Sequence, residues 1–184
     1  MDIFAHALWT AATGLTVRRR VRRPISLGWL VFWGVFPDVF SLAIPAVVRI
    51  WWYLSGVTPH LMPDAKSPPH FQFVWQLYYG SHSLVTFGFV FGVIWLLRKR
   101  PMLELWGWLL HIVIDIPTHV GIFALHFLWP LSSFSVSGYR WENRWFFVAN
   151  YGALLLLLSW MWIQKRHSEI HGTNLAATAG DQSI

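Results

Sequence analysis

The stretch "LLHIVIDIPTHVG", residues 109–121, decides how this chain is read. It is apolar enough for a bilayer, yet it carries His111, Asp115 and His119 at four-residue intervals. Positions i, i+4 and i+8 drift only about 80° around a helix, so the three side chains share a face. Pro117 stands between the last two and is expected to remove one backbone hydrogen bond and kink the helix. Ionisable groups are costly in hydrocarbon, so such a stripe is predicted to face a polar site inside a helix bundle.

A span needs about 20 mostly apolar residues. Working outward, residues 102–129 qualify, as do 26–54, 72–97 and 146–164, with a shorter segment at 3–16. The predicted fold is all-α: a multi-pass helical membrane protein of four to five membrane segments, with the polar site between helices near midplane. Residues 1–166 form one domain, and the polar tail 167–184 is expected to be disordered. Segment 3–16 is short for a span. Its basic residues follow it, the reverse of a secretory signal.

Composition excludes an ordinary water-soluble domain. Of 184 residues, 55% are hydrophobic and only 12% are charged, too few to solvate a surface. The absence of cysteine excludes disulfides and thiolate metal sites, and leaves nine histidines as the main soft ligands. The net charge of +6 is concentrated in "VRRRVRRP" (17–24), "RKRP" (98–101) and Lys165–Arg166, which together hold ten of the fourteen lysines and arginines. Each cluster abuts a long apolar run, so the positive-inside rule explains them better than nucleic-acid binding. Loops 17–24 and 98–101 and the C-terminal tail are then cytoplasmic, 55–71 and 130–145 lie outside, and the protein belongs in the cell inner membrane. The partners expected are membrane lipids, with no nucleic acid.

The ionisable residues deep in these segments are His6, Asp38, His82, His111, Asp115 and His119, all metal-ligand types. Counted along helices at about 1.5 Å per residue from the nearest basic loop, His6 lies at about 18 Å and Asp38, His82 and Asp115 at about 22–24 Å. Elements running in opposite directions thus bring their polar groups to one level. Asp38 follows Pro37, and a buried carboxylate without a basic partner goes neutral or needs a metal. His126 falls about 10 Å farther out and is read as lining a mouth or as structural. Four histidines and two aspartates suit one or two ions, zinc first, with manganese or iron as alternatives.

Taken in order, Met1–Asp2–His6, Pro37–Asp38, His82–Ser83 and "HxxxDxxT" (His111, Asp115, Thr118) resemble the bacterial and archaeal family of membrane-bound, predicted metal-dependent hydrolases. That family is distantly similar to zinc-dependent phospholipase C. The resemblance covers roughly residues 1–135. In that family a second Asp often follows the first by two residues, where this chain has Phe40. The family's "HRGxTHS" reads "YYGSHS" (78–83) here. The resemblance implies a zinc-type hydrolase whose activated water attacks a phosphoester or lipid-type substrate. Asp38 and Asp115 are the candidate catalytic residues, and Ser83 and Thr118 the hydroxyls orienting the ligands. Two other readings of the same residues stay open: a metal-ion transporter or channel, and a structural protein whose His and Asp side chains glue helices.

Overall fold

The computed structural model describes residues 1–18, 20, 21, 23–56 and 72–181. Arg19, Arg22 and most of the outer loop 55–71 lie outside the described residues. The chain is all-α, with no strand among the described residues. The helices are α1 (Ile3–Arg18), α2 (Leu27–Leu54), α3 (Gln72–Ser81), α4 (Leu84–Arg98), α5 (Trp106–Asp115) and α6 (Arg144–Asp181). A 3-10 turn, Leu103–Leu105, leads into α5. The chain divides into two units, Met1–Asn143 and Arg144–Ile184.

Within the first unit α2 is the common neighbour, with α1, α3 and α5 packed on it. Close approach is possible because small residues stand at the crossings. A Cβ on Gly107 of α5 would come within 2.1 Å of the Leu30 carbonyl oxygen of α2. The core joins Tyr78, Phe87, Leu105, Trp108, Ile112 and Leu125. Trp108 is its hub: it stacks on Trp33 at 6.0 Å and meets Phe36 and Phe87 edge-on. Edge-to-face and offset pairs of this kind add about 0.5–1.5 kcal/mol each beyond area burial.

Two helices, Leu27–Val48 and Arg144–Ser168, are long and apolar enough to cross a membrane. The pair α3–α4 makes a third if counted as one span, bent by 63° at Ser81–Ser83. Large apolar side chains such as Phe4, Trp51, Phe89 and Leu97 point outward, as lipid contact requires. Of the four to five membrane segments read from the sequence, two or three meet this measure. Residues 102–129 are not one helix, because α5 ends at Asp115. Pro117 explains the stop: it has no N–H to donate, and its ring clashes with the carbonyl four residues back. Pro37 and Pro45, by contrast, are carried inside α2. The bend at Ser81–Ser83 has a local cause as well. Ser83 is extended (φ −102°, ψ 130°), and its hydroxyl accepts from the Val85 and Thr86 amides, capping α4.

The backbone after Pro117 is irregular but paired. The amides of Gly138, Tyr139 and Trp141 donate to the carbonyls of His119 (2.9 Å), Pro117 (2.7 Å) and Thr118 (3.3 Å). Residues 138–141 thus form a strap along 117–119, and this pairing satisfies backbone groups that a helix would have satisfied internally. In the second unit, α6 runs from Arg144 through Asp181. Its run Asn174–Gly180 contains three alanines and no proline, so nothing there forces the helix to stop.

Candidate metal centre

Four elements supply the site, each for a local reason. On α5, the i, i+4 spacing puts His111 and Asp115 on one buried face, with His111 Nε2 3.2 Å from Asp115 Oδ2. On α2, Asp38 turns the same way, its Oδ1 3.7 Å from His111 Nε2. His82 sits in the break between α3 and α4, its Nε2 3.5 Å from Asp38 Oδ1 and 3.8 Å from Asp115 Oδ2. His6 of α1 stacks on the His111 ring at 3.8 Å. Ligand atoms of Asp38, His82, His111 and Asp115 all lie within 4.8 Å of one another, and all four residues are buried.

The ring orientations follow from the backbone. His111 Nδ1 lies 2.8 Å from the Gly34 carbonyl oxygen, and His82 Nδ1 lies 2.9 Å from the Tyr78 carbonyl oxygen. A carbonyl cannot donate, so each Nδ1 carries a hydrogen, and in a neutral ring that leaves a lone pair on each Nε2. Those two Nε2 atoms face each other at 3.1 Å. With both rings neutral the two lone pairs cannot hydrogen-bond to each other, and two carboxylates border the same space. Asp115 Oδ2, wholly buried, has no hydrogen-bond partner. Among the described residues no lysine or arginine pairs with these carboxylates. The Met1 amine does, on Asp115 Oδ1. Two imidazole nitrogens and two carboxylate oxygens converging without thiolate form a donor set that could hold a metal ion. The residues present therefore fit a divalent cation.

The two oxygens of Asp115 face different neighbours. Oδ2 belongs to the group just described, whereas Oδ1 meets the Met1 amine and His6 Nε2 at 2.9 Å. His6 is fully buried, and neither of its ring nitrogens makes a well-aligned hydrogen bond despite that short approach. His119 Nδ1 stands 3.2 Å from the Asp115 carbonyl oxygen and 3.4 Å from Oδ1. Both of these are acceptors, which places a hydrogen on that nitrogen and makes His119 a donor to Asp115. Thr118 Oγ1 lies 3.3 Å from Asp115 Oδ1 and 3.1 Å from the Ile114 carbonyl.

The structure thus brings all six candidate residues into one cluster and puts His126 elsewhere, stacked on Tyr79 at 4.3 Å. Ser83 is a correction. Its hydroxyl caps α4 and donates to the Trp129 carbonyl, so it orients no ligand. Other residues take the orienting role that sequence reasoning gave to Ser83. Ser81 Oγ lies 3.0 Å from His82 Nδ1, and Trp108 Nε1 donates to the Ser81 carbonyl at 2.6 Å, tying α5 to the break that carries His82. Gly34 and Tyr78 act through backbone carbonyls, which no side-chain pattern encodes. A usable signal for Tyr78 existed: it precedes His82 by four residues, the spacing that aims a helical side chain at that carbonyl.

No protein-family model, curated protein or solved structure matches the chain.

Proposed function

We propose that this cluster is a hydrolytic metal centre holding one divalent ion, zinc by donor type, between His82 Nε2, His111 Nε2, Asp115 Oδ2 and Asp38 Oδ1. The observation that carries this reading is the pair of Nε2 atoms facing each other at 3.1 Å beside two carboxylates. With both rings neutral the arrangement is repulsive unless a cation sits between them. With one, every donor has an acceptor.

The surrounding residues have distinct tasks. Gly34 and Tyr78 fix the imidazole tautomers, which holds both lone pairs on the ion and raises ligand basicity. His119 and Thr118 orient Asp115, while His6 and the Met1 amine compensate its second oxygen. Asp115 is wholly buried, whereas the Asp38 side chain keeps 12% of its surface accessible. Asp38 is therefore the carboxylate placed to orient an incoming water and to take its proton. A bound divalent ion supplies Lewis acidity, lowering the pKa of coordinated water to about 7 and polarising the scissile bond. The substrate class is a phosphoester or lipid-type linkage. Support for that class comes from the motif resemblance and from helices suited to a membrane.

The test is metal content of the full chain purified in mild detergent and dialysed against zinc, manganese or iron. About one ion per wild-type chain is expected, with at least a 10-fold loss of affinity in Asp115→Asn and His82→Ala. A wild-type chain that takes up none of the three metals overturns the reading. Phosphodiester and phospholipid hydrolysis by the loaded protein, abolished in Asp38→Asn even at zinc concentrations that saturate that variant, then tests the chemistry.

A further inference from the structure

A cavity of about 480 Å³ opens between α1, the entry to α2 and α5, apart from the metal cluster. Its volume lies in the range of ligand-sized pockets, about 300–1,000 Å³. Its wall includes Thr13, Val17, Val21, Ile25, Leu110 and Val113, and none of its lining residues is charged. Thr13, Val17 and Val113 are exposed, so the cavity is a groove open along its side. Thr13 and Val17 stand four residues apart on α1, and Leu110 and Val113 three apart on α5, so each helix presents one continuous apolar stripe.

One end of this groove is different. Val17, Val21 and Ile25 are interleaved with Arg18, Arg20 and Arg23, all exposed. An apolar groove beside a run of exposed arginines is complementary to one kind of occupant. Hydrocarbon fits the wall, and the planar donor fork of arginine fits a phosphate. A zwitterionic headgroup offers the same phosphate without net charge, so the arginine end favours an anionic one.

We propose that the groove binds one anionic phospholipid, its acyl chain along Thr13, Val17, Leu110 and Val113 and its phosphate on Arg18, Arg20 and Arg23. The site is distinct from the metal centre and does not depend on it. The lipid docks α1 against α5, the helices that carry His6 and His111.

Native mass spectrometry of the full chain, released from micelles doped with either phosphatidylglycerol or phosphatidylcholine, tests this. One phosphatidylglycerol retained per wild-type chain is expected, with weak retention of phosphatidylcholine. Joint replacement of the three arginines by glutamine lowers phosphatidylglycerol affinity on the order of 100-fold, at roughly fivefold per charge. The chain contains no cysteine, so Val113→Cys provides a single attachment point. Coupling a bulky maleimide there blocks the groove after folding and cuts lipid retention at least tenfold, which separates occlusion from misfolding. Equal retention of both lipids by the wild type, or undiminished retention after coupling, overturns the proposal. Efficient disulfide-linked dimers of Val113→Cys in vesicles also overturn it, because a second copy would then cover the groove.

Discussion

Gly107→Ala isolates how the packing of α2 on α5 sets up the metal cluster. A Cβ at Gly107 would stand 2.1 Å from the Leu30 carbonyl oxygen and 2.9 Å from the Gly34 amide nitrogen. Both are backbone atoms in a close-packed interior, so neither side chains nor rotamers can relieve the clash. The two helices must part by roughly 1 Å to restore an ordinary contact. One turn further along both helices, at Gly34 and His111, the same parting stretches the Nδ1 bond from 2.8 Å to roughly 3.7 Å, beyond hydrogen-bond range. The cost in stability is about 1–3 kcal/mol, the usual range for overpacking. That lowers Tm by about 2–4 °C per kcal/mol for a chain of this length. Loss of the bond that fixes a metal-ligating imidazole weakens metal affinity by about 10–100-fold. The assay is thermal unfolding in detergent beside zinc titration, with Gly88→Ala as control. Gly88 has nothing within 4 Å of a built Cβ, so that variant is expected to gain up to about 1 kcal/mol. If Gly107→Ala unfolds with Gly88→Ala and binds zinc like the wild type, the account of this crossing is wrong.

Other outcomes follow from the same geometry. Ser83→Ala removes the cap of α4 and a partner of the Trp129 carbonyl, and is expected to cost about 1–2 kcal/mol with zinc affinity unchanged. A drop in affinity without loss of stability would return Ser83 to the ligand shell. Trp108→Phe keeps the aromatic packing but loses the bond to the Ser81 carbonyl, so it should destabilise by about 1 kcal/mol and loosen zinc binding modestly. An effect on neither quantity would show that this bond does not position His82. Protons compete with the ion for His82 and His111 Nε2, so affinity measured calorimetrically should rise with pH and fall reversibly on acidification. An affinity that does not vary with pH contradicts ligation by neutral imidazole.

The sequence makes the ligands legible more readily than their supports. His111 and Asp115 declare themselves because a helix has a period and the two share a face. Asp38 and His82 declare themselves because an unpaired ionisable group in an apolar run is costly wherever it stands. Pro117 announces a disturbance in segment 102–129, but that the helix stops at Asp115 and does not resume was not legible, since hydropathy reports composition and continues smoothly past it. The bend at His82 hides for a similar reason. Ser83 reads as a polar neighbour of a ligand, and only the extended backbone there reveals it as a helix cap. Gly34 escapes entirely as a contributor, because the group it offers is the carbonyl that every residue has, and Tyr78 shows itself only through its spacing of four from His82.

The distances along the chain between members of the cluster set an order of events during synthesis. The bond between His111 and Gly34 closes a loop of 77 residues, and that between Met1 and Asp115 one of 114. Asp38 is therefore made, and its helix handed to the membrane, long before α5 leaves the ribosome. In that interval Asp38 lacks the neighbours His111 and Asp115 that it has in the folded chain, and the cluster closes only when they arrive. Chains truncated after Glu104 should then be cleared faster than chains truncated after Asn143 in a pulse-chase measurement. Equal lifetimes would mean that Asp38 finds other compensation before its partners arrive.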